Sequence, residues 1–400
     1  MKPIGLIIPW YGDEIRGGAE QECNYLAHSL TNAGANVEVF TTCVRDASCD
    51  RGTNTIIPGV YTESGITVRR FQVNVKRDVE KYTESNQRIY NDAGYTRYDE
   101  EIYFANDINS DEMYDYIRTH ERDYRLFFTI PYMYGITYHA CAICPQKVIM
   151  IPCLHDESYA YMSVLKERMN ALRGMIFHAQ PEYELARQLY GLEQVHTAVL
   201  GEGIDTDWYG QCDPNAFREK YQITAPFLIF AGRKDAGKKA DELCRFFIRF
   251  KSELPDIDLK LVFIGGGNLP VSIPDAMADD IIDLGFVSVE DKHNAFAAAE
   301  FLCNPSWFES FSLVIMESWL AKRPILVSEH CAVTTNFCHE TNGGLYYNNY
   351  REFRECIIYL RENKETGDRM GENGFEYVME HFTHKKIAQN YLDFAEHIGL

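Results

Sequence analysis

Positive charge is scarce in this chain. Lys plus Arg number 39 against 59 Asp plus Glu, a formal net charge of −20. Such a surface excludes a general nucleic-acid binder, which needs a basic face, but leaves room for one anion in a local basic pocket. Long apolar runs are also missing. No stretch approaches the ~18 residues of a membrane span. The apolar start Ile4–Pro9 is too short for a signal-peptide core, so a cytoplasmic protein is expected. Disulfide spacing is absent: the 12 cysteines are scattered, which fits a reducing compartment. Cys141-x-x-Cys144 is the one close pair of that spacing. Without a second pair or a histidine cluster it reads as buried thiols, and no zinc is expected there. Internal repeats and low-complexity tracts are likewise absent.

What is present is core material. Hydrophobic residues make up 46 % and aromatic residues 13 % of 400 residues, enough for two domains of about 150–200 residues each. The first half alternates strands and helices. Strands are expected at Ile4–Pro9, Val37–Thr41, Ile66–Val73, Leu126–Ile130, Val148–Pro152, Met175–His178 and His196–Leu200, with helices at Gly17–Ala33 and Pro181–Tyr190. The polar, Tyr-rich stretch Lys76–Asn109 lacks a clear period and reads as an insertion or mobile loop.

A second series follows the turn-rich join Gly201–Ala225. Its strands are expected at Phe227–Ala231, Leu259–Ile264, Ile281–Leu284, Phe301–Asn304 and Pro324–Ser328. Its helices are expected at Ala240–Phe250, Glu290–Ala299 and Leu313–Ala321, and the tail from Tyr350 is helical with breaks near Gly367 and Gly374. Alternation of this kind predicts parallel sheets covered by helices, hence an α/β protein of two Rossmann-like lobes. Ligands of such sheets sit beyond the carboxyl ends of the strands, so two facing lobes would enclose a central cleft.

Three segments fall at expected strand ends. Trp10–Glu20 joins the first strand to a helix, and Gly17 and Gly18 would let backbone approach an anion; a plain strand-to-helix turn reads equally well. Ala231–Lys239 gathers Gly232, Arg233, Lys234, Lys238 and Lys239. A solvated lysine-rich turn is the ordinary meaning of such a run. The position between strand and helix favours a diphosphate site, with Arg giving two hydrogen bonds and Lys a point charge. Pro305–Glu317 places Glu309 before a helix and Glu317 inside it. The amides of Phe311, Ser312 and Leu313 would be free donors at the helix start, and Glu317 could accept from ribose hydroxyls.

Together these segments resemble glycosyltransferase family 4, of the GT-B group of nucleotide-sugar transferases. The family pattern G-R-x4-K, a glycine-ended strand, G-x-V and E-x7-E is matched in order by Gly232-Arg233 with Lys238, Phe263–Gly267, Leu284–Val287, and Glu309 with Glu317. Gly17–Glu20, His155 and Gly201–Asp205 are looser matches, with Glu202 where the family has Asn. Other departures are Lys239, Ser312 and Lys322, each standing where the family usually has Gly.

The resemblance implies an N-terminal acceptor-binding lobe over 1–205 and a C-terminal nucleotide-sugar lobe over 206–380. It also implies a terminal helix, 381–400, packing back on the first lobe. It implies retaining, metal-independent transfer of a sugar from a UDP- or GDP-sugar to a glycan or lipid-linked hydroxyl, in surface polysaccharide or lipopolysaccharide synthesis. His155, Arg233, Lys238 and Glu309 are then the expected catalytic residues. Gly17, Gly18, Gly232, Arg233, Lys238, Glu309, Phe311, Ser312, Leu313 and Glu317 are expected at the donor. No cofactor, metal or nucleic acid is expected.

The triplets Asp205-Thr206-Asp207 and Asp256-Ile257-Asp258 lie away from the expected diphosphate site. Tyr161–Met175, with Lys166, Arg168 and Arg173, suggests peripheral contact with a membrane. Rival readings are a GT-B sugar-nucleotide 2-epimerase and a non-catalytic two-lobed sugar-binding protein. A nicotinamide dehydrogenase is weakest, because Gly265–Leu269 is followed by Pro270 where its fingerprint needs Gly or Ala.

Overall fold

The computed structural model describes residues 2–12, 15, 17–269 and 271–400. Asp13, Glu14 and Arg16 of the first glycine turn, and Pro270, lie outside the described residues. The chain divides into two compact units. One comprises Met1–Gly203 with His384–Leu400, the other Ile204–Thr383.

The first unit runs β1 (Ile4–Ile7), α1 (Gly18–Asn32), β2 (Val37–Thr42), β3 (Gly59–Glu63), β4 (Ile66–Phe71), α2 (Val79–Tyr90), α3 (Arg97–Asn106), α4 (Asp111–His120), β5 (Leu126–Thr129), α5 (Gly135–Ala140), β6 (Val148–Met150), α6 (Ser163–Asn170), β7 (Gly174–Phe177), α7 (Gln180–Tyr190) and β8 (His196–Val199). Its eight strands lie in the order β3-β4-β2-β1-β5-β6-β7-β8. Strands β1, β2, β5, β6 and β7 are buried along their whole length, as apolar runs covered on both faces must be. All neighbours are parallel except β3, which pairs antiparallel with β4 at the edge. Strand β3 was not expected. Its residues are almost all exposed, so it carries no apolar run to reveal it.

The expected loop Lys76–Asn109 is instead a helical hairpin, α2 and α3. Asp78 caps α2 by accepting from the Lys81 amide, and Thr96 with Asp99 forms a capping box on α3. Buried Glu100 on α3 accepts from the amides of Ser163 and Val164 and from the Ser163 hydroxyl, so it caps α6 across the fold. Asp107, at the end of the hairpin, accepts from the Gly135 amide and pairs with Arg51.

The second unit runs α8 (Pro214–Tyr221), β9 (Phe227–Ala231), α9 (Ala240–Glu253), β10 (Lys260–Ile264), β11 (Ile281–Asp283), α10 (Val289–Ala298), β12 (Phe301–Asn304), α11 (Leu313–Leu320), β13 (Ile325–Ser328), α12 (Ala332–Thr341), β14 (Gly344–Tyr347), α13 (Tyr350–Glu362) and α14 (Lys364–His381). Its sheet is parallel throughout, in the order β11-β10-β9-β12-β13-β14. The closing helix α15 (His384–His397) returns to the first unit. There His384 Nδ1 lies 3.1 Å from Ser29 Oγ on α1, and the Tyr391 hydroxyl donates to the Gly201 carbonyl at 3.0 Å.

The helical tail does not break at Gly367 or Gly374, which lie inside α14. The breaks fall at Asn363 and at 382–383. A Cβ at Gly374 would stand 2.2 Å from the Trp319 ring, and one at Gly371 2.1 Å from the Lys322 carbonyl oxygen. These glycines let α14 lie close against α11. That contact outweighs the helix cost of roughly 1 kcal/mol per glycine.

Candidate active site

In the second unit the turns after β9 and β10 touch backbone to backbone. A Cβ on Gly265, whose φ is +116°, would stand 2.1 Å from the Gly232 carbonyl oxygen, so no other residue fits. The Gly232 amide donates to the Ile264 carbonyl and the Lys234 amide to that of Gly266. Buried Lys234 places Nζ 2.7 Å from the Gly265 carbonyl oxygen and 2.9 Å from Asp283 Oδ1. Lys234 therefore braces three strand ends and is not a free member of the basic run. Lys239 is committed too, its ammonium 3.6 Å from the centre of the Trp307 ring.

Arg233 and Lys238 differ sharply. The Arg233 side chain is 73 % exposed, with Asp235 3.4 Å away. Lys238 Nζ lies 2.7 Å from Glu309 Oε1, and the Glu309 side chain is only 9 % exposed. Buried Asn304, the last residue of β12, donates to Ser312 Oγ at 2.9 Å and lies 3.4 Å from Glu309 Oε1. Its own Oδ1 accepts from the Ser306 amide. Asn304 thus shapes the whole loop between β12 and α11. It was not foreseen, although a polar residue ending a fully buried strand was a readable signal.

Helix α11 begins at Leu313 after Ser312, whose φ is +79° and whose side chain makes no capping bond. The amides of such a first turn have no partner within their own helix. Phe311 is 1 % exposed, and its ring packs edge-on against Phe337 and Phe382. Only its backbone can face a ligand. Glu317 pairs with Lys292 of α10 at 2.5 Å, so Lys292 is a second unforeseen residue. Alongside, Trp208 stacks on His293 with ring centroids 4.0 Å apart. Burial holds the His293 imidazole below its ordinary pKa.

Gly232, Arg233, Lys238, Glu309, Phe311, Ser312, Leu313 and Glu317 therefore all lie in the second unit, grouped around the ends of β9 and β12. Gly17, Gly18 and His155 lie in the first. Gly17 is the N-cap of α1, and a Cβ on Gly18 would meet nothing within 4 Å. His155 follows β6, with Nδ1 3.5 Å from Glu157 Oε1. Helix α2 packs on the segment just beyond it: Tyr159 donates to Asn86 Oδ1 at 2.7 Å, and Ser158 to the Tyr90 carbonyl at 3.1 Å.

Other candidate groups are placed as follows. Cys141 and Cys144 are buried, and burial raises their thiols to about 11 and about 12. Asp205 accepts from the Asp207 amide in a local turn, and Asp256 and Asp258 lie in the turn before β10. The basic stretch near α6 is not a free face. Arg168 lies over the Tyr138 ring and Arg173 donates to the Ile398 carbonyl, while Lys166 is exposed. No helix among the described residues is long and apolar enough to cross a membrane.

Two parallel-sheet Rossmann-like units with these strand-end loops define a GT-B protein. Sucrose-phosphate synthase from Thermosynechococcus elongatus superposes with a TM-score of 0.70 at 16 % identity, covering 100 % of this chain and 99 % of that one. The Anabaena protein HepE, solved in complex with UDP-glucose, gives 0.67 at 13 % identity, covering 99 % and 100 %. Residues 225–363, within the second unit, match the family model Glycosyl transferases group 1. A D-inositol 3-phosphate glycosyltransferase of Kribbella flavida is 27 % identical over 206 residues, 48 % of this chain and 48 % of the relative. The chain spans about half the length of the curated relatives it matches.

Proposed function

We propose that the chain is a retaining, metal-independent glycosyltransferase. It takes a sugar from a UDP- or GDP-sugar and passes it to a hydroxyl of a glycan or lipid-linked acceptor, in surface polysaccharide or lipopolysaccharide synthesis. The observation that carries this reading is the Lys238–Glu309 pair, 2.7 Å apart, set between exposed Arg233 and the start of α11. Departure of a nucleoside diphosphate leaves an oxocarbenium-like sugar and concentrates negative charge on the phosphates. A guanidinium, an ammonium and helix-start amides oppose that charge.

In this mechanism Arg233 grips the diphosphate, while Lys238 turns from Glu309 toward it. Glu309 then faces the hydroxyls of the transferred sugar. Glu317, held by Lys292, accepts from the ribose. His155 orients the sugar or the acceptor hydroxyl, and Gly18 leaves space at the start of α1 for the ligand, while the Glu20 carboxylate lies over Gly17 and must move for a ligand to approach there. The UDP-glucose complex of HepE and the family match of residues 225–363 support this choice of donor. The α2–α3 hairpin, packed against the segment after His155, is the proposed element of acceptor choice.

The test is incubation with a panel of UDP- and GDP-sugars, with and without glycan acceptors, measuring release of nucleoside diphosphate. Acceptor-dependent release is expected. Donor consumed equally without acceptor would favour the epimerase, and donor bound but never consumed the binding protein.

A further inference from the structure

Three residues distant in sequence converge inside the first unit, at a place the proposed transfer does not use. Glu22 sits on α1, Cys153 in the turn after β6 and His178 at the end of β7. Glu22 is 3 % exposed and His178 2 %. Glu22 Oε1 lies 2.6 Å from His178 Nε2, and Cys153 Sγ lies 3.2 Å from Glu22 Oε2. One ligand atom from each lies within 4.8 Å of the other two. Cys153 holds a left-handed backbone, φ +50°, uncommon for a residue with a side chain.

The surroundings are rich in negative charge. Glu182, 1 % exposed, accepts from the Leu154 and His178 amides and places Oε2 3.9 Å from His178 Nδ1. Glu202, 6 % exposed, acts electrostatically on both His178 and Cys153. Among the described residues no lysine or arginine pairs with Glu22 or Glu182. Glu22 and Glu182 beside one imidazole leave a negative excess, which is costly unless protons or a cation neutralise it.

We propose that Glu22, Cys153 and His178 bind one borderline transition-metal ion, Zn²⁺ by preference, as a structural site. A carboxylate oxygen, a thiolate and an imidazole nitrogen form a donor set suited to such an ion. Glu182 lies beside the second ring nitrogen at 3.9 Å, a nearby negative charge rather than a hydrogen-bonded partner of the ring. Binding replaces the proton shared by Glu22 and His178 and releases the Cys153 thiol proton to solvent. A cavity of about 10 Å³ lined by Glu22, Glu202 and Tyr391 adjoins the site. That is roughly the room one water needs to complete four-coordination. The ion ties α1 to the ends of β6 and β7 and steadies the turn leading to His155.

The full chain, produced with zinc in the medium and freed of any histidine tag, is dialysed and assayed for metal by mass spectrometry. About one zinc per chain is expected, with X-ray absorption showing one sulfur near ~2.3 Å and nitrogen or oxygen near ~2.0–2.1 Å. Replacement by Co²⁺ should add a thiolate charge-transfer band that Cys153→Ser abolishes. Zinc below about a tenth of an equivalent after loading, or a first shell without sulfur, overturns the proposal even if Cys153→Ser does not fold. The readout needs no sugar donor, so its failure leaves the transfer reading untouched.

Discussion

Lys238 and Glu309, one after each of two adjacent strands, neutralise each other across 2.7 Å. The basic run after β9 therefore presents a single highly exposed cation, Arg233, and a second one held by a carboxylate. A phosphate must compete with Glu309 for Lys238, which links binding of the leaving group to release of the group that faces the sugar.

Arg233→Ala and Lys238→Ala should each lower kcat/KM by about a hundredfold or more, since each removes a charged partner of the diphosphate. Their stabilities should differ. Arg233 is exposed, so its loss leaves melting unchanged. Loss of Lys238 removes the cation that balances the mostly buried Glu309, at a cost of about 1–3 kcal/mol. In a unit of this size that lowers Tm by several degrees. Steady-state rates beside calorimetric melting check both halves.

Glu309→Gln should lower kcat with donor affinity little changed, whereas Glu317→Gln should weaken donor binding by about tenfold, because an amide accepts more weakly than a carboxylate. Lys292→Met should resemble Glu317→Gln in binding, since Lys292 holds Glu317 in place. Titration calorimetry with UDP and GDP separates the cases. Parent-like binding by Glu317→Gln with parent-like turnover by Glu309→Gln would remove both roles.

Lys239, Ser312 and Lys322 have φ of +53°, +79° and +56°, and each stands where the family pattern has Gly. The backbone shape has been kept and the strain accepted. At each position the Gly variant should be more stable than the Ala variant by about 1 kcal/mol, because both lose the native side-chain contacts and only Ala keeps the strained Cβ. At position 322 those contacts are the ion pair with Glu372 and packing on Phe375. Paired melting curves for Gly and Ala variants decide it.

Asp205→Asn combined with Asp207→Asn should leave turnover within about twofold of the parent, and added Mn²⁺ or Mg²⁺ should not raise it, since cations of the chain itself oppose the diphosphate charge. A large loss in the double variant, restored by metal, would move the diphosphate to that turn.

Arg51→Ala should destabilise the first unit by about 3 kcal/mol, because Asp107, whose side chain is wholly buried, loses its cation. The α2–α3 hairpin should loosen with it, read as faster amide exchange over Val79–Asn106.

The sequence by itself determined the buried parallel strands of both units, though not β3 or the α2–α3 hairpin, because strands buried on both faces must be continuous apolar runs. Phe227–Ala231 and Phe301–Asn304 coincide with β9 and β12 for that reason. It also brought Gly232, Arg233, Lys238, Glu309 and Glu317 into one series, since strand-end loops of a parallel sheet share an edge. Tertiary structure decided the rest. Which lysines are spent on the fold depends on partners far along the chain, such as Asp283 for Lys234 and Trp307 for Lys239. The glycines of α14 read as helix breaks until Trp319 and Lys322 press against them. The α2–α3 hairpin sends only a few apolar residues, Ile89, Tyr103 and Phe104, into the core and is also held by buried Asp99, Glu100 and Asp107, whose partners include residues more than 60 positions away. Glu22 and Cys153, 131 residues apart, meet only because α1 and the turn after β6 converge in the fold, a proximity that no local spacing encodes.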